Sequence, residues 1–157
     1  MGYVEDLRAI IGPRPVILNG CCAVLVNPQG EVLLQQRNEP AKRWGLPGGL
    51  MEMGESTQET VCREVAEECG LQVAPEQLTL LNVYSGASHH VFAPNGDEFF
   101  NVVIAYYAES ITGNPEIDDD ESLHYAWVPL MKLPSPMVAT HAEVIRDYQA
   151  IKQEQNR

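Results

Sequence analysis

No apolar run in this chain approaches the ~20 residues that a transmembrane helix needs. CCAVLV, Cys21–Val26, is among the longest. Positive charge is scarce: Lys and Arg number 10 against 22 Asp and Glu, for a formal net charge of −12. That deficit argues against electrostatic binding to nucleic-acid polymers or anionic membranes. It leaves small phosphorylated ligands open, because a divalent cation inverts the local field. The opening MGYVEDLRAI is acidic and lacks the basic stretch of a secretory signal. Asp6 stands where a myristoylation pattern requires Ser or Thr. Internal repeats, low-complexity tracts and linkers are also absent.

Cysteine is sparse and poorly spaced for cross-linking. Cys21 and Cys22 are neighbours on a strand-like run and point to opposite faces. Cys62 and Cys69 lie two helical turns apart, about 10 Å, too far for a disulfide. Reduced thiols in a cytoplasmic protein are the expectation, rather than a disulfide framework or a zinc site.

What is present suits one domain over 1–157, with 45% apolar residues. Residues 3–11 read as a short amphipathic helix, stopped by Gly12-Pro13-Arg14-Pro15. Residues 16–26 and 31–37 read as a strand and its returning partner around the turn NPQG. A helix is expected over about 57–69. Residues 78–92 and 98–108 read as two strands around APNGD, with Asn95-Gly96 as a hairpin signal. An acidic loop over 113–121, a short strand at 124–130 and a closing helix at 140–153 complete the chain. Strands mixed with a few helices predict an α/β class, helices packed on a mixed sheet.

The helix at 57–69 breaks a local rule. Ser56 and Glu59 make a capping box S-x-x-E, and Gly70 stands at the usual C-terminal stop. Val61, Cys62, Val65, Ala66 and Cys69 form its apolar face. Glu64, Glu67 and Glu68 gather elsewhere at i, i+3 and i+4, where like charges cost about 0.2–0.5 kcal/mol per pair. They also crowd the negative end of the helix dipole. Arg63 relieves part of this through Glu59 and Glu67, but one cation cannot neutralise three carboxylates. A solvated acidic face is the plain reading. The functional one is an oxygen-donor site for Mg²⁺ or Mn²⁺ serving phosphate chemistry. The preceding Gly48-Gly49 turn and a further carboxylate, Glu55, favour the second. No G-K-[ST] follows to cradle phosphate, so metal must supply the positive charge.

These residues resemble the Nudix box, G-x5-E-x7-R-E-U-x-E-E-x-G-U, where U is a bulky aliphatic residue. Gly49, Glu55, Arg63-Glu64-Val65, Glu67-Glu68 and Gly70-Leu71 fill every defined position. WGLPGG and VLLQQR upstream resemble the usual lead-in. The resemblance implies an α/β/α sandwich around a central mixed sheet. It also implies metal-dependent hydrolysis of a nucleoside diphosphate linked to another moiety. Glu64, Glu67 and Glu68 would then bind Mg²⁺ or Mn²⁺, with the Gly48 carbonyl as a further ligand. Arg63 would orient the carboxylates and Glu55 would hold the loop. The general base is not fixed by the box; Glu121, in the acidic loop, is the candidate, against a merely solvated role.

Other features carry less. Arg37 and Arg43 precede the box and are candidates for substrate phosphates, with ordinary surface arginines the equal alternative. Tyr84 is the aromatic singled out as a substrate contact, against simple packing. His89-His90 are strand neighbours with opposite faces and make a poor metal pair. The markers of particular substrates that lie outside the box are missing here. What remains is a nucleotide pyrophosphohydrolase for ADP-ribose-like nucleotide sugars or for nucleoside triphosphates, oxidised forms included. The other class is a non-catalytic nucleotide sensor on the same fold. Homodimers are common among such proteins, but nothing in the sequence establishes one.

Overall fold

The computed structural model describes residues 2–117 and 120–156. Strand β1 (Val16–Leu25) shows why the chain folds in layers. From Gly20 onward it is buried without alternation, as a strand covered on both faces must be. Cys21, Ala23 and Leu25 face one core, with Val61, Val65 and Cys69 of helix α2 (Thr57–Cys69). Cys22 and Val24 face a second core, with Val144, Ile145 and Tyr148 of helix α3 (Ala139–Gln155). A helix on each side of a strand layer is the expected α/β/α sandwich.

The layer consists of two sheets. In the larger, β1 runs parallel to β7 (Glu98–Ala108), in register from Val16–Phe99 to Leu25–Ala108. Strands β4 (Gly48–Leu50), β5 (Thr79–Tyr84) and β6 (His90–Phe92) join it antiparallel, so this sheet is mixed. The smaller sheet is antiparallel, with β2 (Glu31–Arg37) between β3 (Trp44–Gly45) and β8 (Ser122–Pro129). Helix α1 (Tyr3–Ile11) precedes both.

Two expectations about strands need correction. β2 is not a full hairpin partner of β1: the two meet at one bridge, Val26–Val32, and β2 then pairs with β8. Residues 78–92 are not one strand. A 3₁₀ turn at Ala87–His89 breaks the run, so β5 and β6 pair with different stretches of β7. The Asn95-Gly96 turn does close the β6–β7 hairpin, through Ala93 N–H to the Asp97 carbonyl at 2.8 Å. Within the acidic loop, Asp118 and Asp119 lie outside the described residues.

The ends of α2 are set locally, as expected. The Glu59 amide donates to Ser56 Oγ at 3.1 Å and the Ser56 amide to Glu59 Oε1 at 3.2 Å. Gly70 ends the helix in the left-handed conformation. Thr60, Val61, Val65 and Cys69 are buried against the sheet, which fixes the rotation of the helix about its axis. That rotation decides where its carboxylates go.

Candidate active site

Gly48-Gly49 is not the turn expected but part of β4, whose antiparallel pairing with β1 lays the two glycines directly under α2. Gly48 pairs with Cys22, and Gly49 with Cys21. Gly48 has φ +156°, and a Cβ there would overlap the Cys21 carbonyl. At Gly49 a Cβ would collide with the Glu64 carboxyl, which lies against the bare backbone. The two glycines therefore let a helix carboxylate rest on a strand.

Arg63 spends all five of its N–H donors in this region. Nε and Nη2 grip the Glu55 carboxylate at 2.5 and 3.0 Å. Nη1 donates to Glu64 Oε1 at 2.8 Å and Glu67 Oε2 at 3.2 Å, and Nη2 also reaches the Leu50 carbonyl at 3.2 Å. Glu55 accepts further bonds from the Glu52 amide at 2.9 Å and Thr60 Oγ1 at 3.0 Å. The Arg63 guanidinium, chief among these donors, pulls the Glu55 pKa down to about 2. Glu55 in turn raises that of Arg63.

Glu68 is placed differently. It is 5% exposed, the one helix carboxylate turned into the protein. The Gly48 amide donates to its Oε1 at 3.3 Å and the Tyr125 hydroxyl to its Oε2 at 3.2 Å. Glu64 is its other neighbour. Burial first, then Glu64, pushes the Glu68 pKa up to about 9. Burial also raises that of Glu64, against the pull of Arg63. Glu67 stays in solvent, its side chain 62% exposed. So the three glutamates of one helix face occupy three environments, and among the described residues no three acidic, His or Cys side chains are gathered as a ready metal cage.

On the other side of the two glycines the sheet opens into a cleft. One cavity of about 190 Å³ is lined by Gly48, Gly49, Arg37, Asn101 and His141 among others. A second, of about 290 Å³, shares Arg37, Asn101 and His141 and extends to Arg43, His89 and Thr140. Burial, then Arg43, lowers the Arg37 pKa, while Glu39, Glu68 and Glu121 work against that shift. Arg43 is held by Glu39 through two bonds of 2.7 and 3.0 Å.

A family model for the NUDIX domain matches residues 18–148. The chain belongs to that family. The human 8-oxo-dGDP phosphatase NUDT18 is 40% identical over 134 residues, 81% of this chain and 38% of that protein. The chain thus spans well under half of that relative's length. Among solved structures, a MutT NUDIX hydrolase from Burkholderia pseudomallei is 31% identical with a TM-score of 0.69, over 85% of this chain and 98% of that one. The NUDIX domain of Shewanella oneidensis NrtR, solved with ADP ribose, is 28% identical with a TM-score of 0.70, over 96% of this chain and 98% of that one.

The Nudix box residues and Arg37 thus converge on one region, with Arg43 along the cleft. Glu121 is exposed at the end of β2, where its carbonyl accepts from the Asn38 amide at 2.9 Å. Tyr84 is not brought to the cleft. It is 5% exposed in the core under α3, and its hydroxyl donates to Asp147 Oδ2 at 2.5 Å. This corrects the expectation of a substrate contact: the last residue of β5 points inward. His89 and His90 also separate, His89 buried and His90 bonded to Glu98 Oε1 at 2.6 Å.

Sequence reasoning missed the support behind Glu68. Gln35 Nε2 donates to Ser122 Oγ at 2.5 Å, Ser122 donates to the Tyr125 hydroxyl at 3.0 Å, and Tyr125 donates to Glu68. The register of β2 with β8, Gln35 opposite Tyr125, assembles this chain. Two polar residues closing the apolar run of β2, Gln35 and Gln36, were the available hint. His141 was missed as well. Its Nδ1 accepts from the Leu46 amide at 2.9 Å, and burial, with Arg37 and Arg43, depresses its pKa to about 3.

Proposed function

We propose that this chain hydrolyses the pyrophosphate bond of a nucleoside diphosphate joined to a further group, with Mg²⁺ or Mn²⁺ as cofactor. The observation that carries the reading is the mismatch between Arg63 and Glu68. Arg63 is saturated by Glu55, Glu64, Glu67 and Leu50. Glu68 is left buried against Glu64 with no ion pair of its own among the described residues. An all-oxygen donor set lacking a cation is the chemistry of a hard divalent metal. Glu64, Glu67 and Glu68 would hold it, with the Gly48 carbonyl. Glu67 must turn from Arg63 and solvent to take part.

The bound cation would neutralise charge on the pyrophosphate oxygens and acidify a water molecule. The protein supplies the rest. Arg63 fixes Glu64 and braces the Glu55 loop. Arg37, with Arg43 further along, draws the substrate's phosphates into the cleft. Glu121 accepts the proton of the attacking water from the rim of the site. The names of the relatives supply two substrate classes: an oxidised nucleoside phosphate, as for the human protein, and an ADP-ribose-like nucleotide sugar, as bound by the Shewanella domain.

The test is phosphate release from a nucleotide panel with coupled phosphatase, with and without Mg²⁺ or Mn²⁺. Activity should require the metal and fall by at least about 10³-fold in Glu67→Gln and in Glu68→Gln. Unchanged turnover in both variants overturns the assignment. The second reading is a nucleotide sensor on the same fold, without turnover. Tight nucleotide binding with no hydrolysis across the panel would select it.

A further inference from the structure

The cleft contains a buried polar atom without a partner that the catalytic reading does not use. Asn101 lies in β7, and its side chain lines both cavities beside the two glycines. Its Oδ1 is buried, with no hydrogen-bond partner among the described residues. A buried carbonyl without a partner costs about 1–3 kcal/mol, so such groups ask for an explanation. The carboxamide packs over Gly20, where a Cβ would lie 2.9 Å from Oδ1 and 3.3 Å from Nδ2, and rotation about its Cβ–Cγ bond turns the acceptor toward the cavity. On the same face of β7, Phe99 and Val103 flank Asn101 along the strand, and Val91 lines the cavities with it. The polar lining shared by the two cavities adds two donors, Arg37 and His141. Arg37 is cationic. His141, neutral and accepting at Nδ1, carries its proton on Nε2.

We propose that Asn101 is a specificity-determining residue, binding the base of the substrate by hydrogen bonds while the arginines hold its phosphates. This rests on the nucleotide-hydrolase reading above. A carboxamide presents one acceptor beside one donor. It therefore matches a base edge with an N–H next to an acceptor, as on adenine N6 and N7. The flanking Phe99, Val91 and Val103 give the flat faces of the base apolar contact. The phosphates then lie toward Arg37 and the two glycines, where the box carboxylates are.

The test compares the wild type with Asn101→Leu and Asn101→Asp. The probes are ADP-ribose, 8-oxo-dGDP and a base-free deoxyribose 5-diphosphate, all with Mg²⁺. Kd is read by calorimetry, or kcat/KM where a probe is hydrolysed. The expected result is a preference of the wild type for at least one base-bearing probe over the base-free one. That ratio should collapse about 10- to 100-fold in Asn101→Leu and fall in Asn101→Asp, which has lost the donor. The melting temperature of Asn101→Leu should be unchanged or higher, since no protein hydrogen bond is removed. A ratio unchanged in both variants, or a wild type that binds no base-bearing probe, overturns the proposal. A ratio that collapses in binding without any hydrolysis keeps this inference and overturns the catalytic reading. Hydrolysis with an unchanged ratio does the reverse.

Discussion

Glu55 and Glu68 stand at opposite ends of one box, and their surroundings push them in opposite directions. Glu55 meets the Arg63 guanidinium and two further donors, and its pKa falls to about 2. Glu68 is buried against Glu64, and its pKa rises to about 9. Side-chain type does not separate them; position relative to Arg63 does. The loop end of the box is electrostatically complete, whereas the helix end leaves Glu68 buried against a second carboxyl. The first should act in stability and the second in chemistry.

Glu68→Gln makes the largest break in that comparison. Turnover should fall at least about 10³-fold. Folding stability without metal at neutral pH should hold or rise, because an amide replaces a carboxyl that burial already keeps from ionising. Chemical denaturation of the metal-free variant beside the wild type reads this. A large stability loss would mean that Glu68 is structural.

Glu55→Gln should behave in the opposite way. The amide turns an N–H₂ group toward the donors of Arg63 and leaves that cation partly unpaired. A loss of about 2 kcal/mol is expected, or about 4–8 °C in Tm for a chain of this size. Activity should decline through disorder of the loop, with metal affinity affected less than in Glu68→Gln. Equal stability in the two variants would erase the contrast.

The two ends also predict opposite pH dependences. Glu55 ionises more readily folded than unfolded, so its contribution is complete above about 4.5 and is lost as pH falls through about 2. Glu68 holds its proton more tightly folded than unfolded. Its contribution is complete below about 4.5 and is lost as pH rises toward about 9. A divalent cation competes with that proton, so the Tm gain from Mg²⁺ should grow between about pH 6 and pH 9. In Glu68→Gln the growth should flatten. A Mg²⁺ shift independent of pH in the wild type would place the metal elsewhere.

The loop and helix of the box were legible because their signals are local. Ser56, Glu59 and Gly70 mark α2 within one helix length, and Arg63 finds Glu67 one turn away. The i, i+3, i+4 spacing grouped Glu64, Glu67 and Glu68, but could not show that Glu68 alone turns inward. That depends on α2 rolling Val61 and Val65 into the sheet. The cleft was illegible for the same reason on a larger scale. Gln35, Asn101 and His141 come from two strands and a helix far apart in the chain, and only sheet register and α3 docking bring them to the two glycines. The break between β5 and β6 did leave a local signal, Gly86, whose φ of +109° opens the 3₁₀ turn.

The smallest effect concerns what stands behind Glu68. Tyr125→Phe removes the hydroxyl that donates to Glu68 Oε2 and accepts from Ser122 Oγ. Stability should change by about 1 kcal/mol, since one hydrogen-bonded group is lost and Ser122 is left to repair its own bond. The diagnostic readout is the pH at which Mg²⁺ begins to stabilise the protein. The hydroxyl bond favours the ionised carboxylate and so lowers the Glu68 pKa. Without it, proton competition should extend to higher pH and the onset of the Mg²⁺ shift should move up. A purely structural tyrosine would lower Tm equally with and without metal and leave that onset in place. The measurement therefore separates support of the fold from support of the helix end of the box.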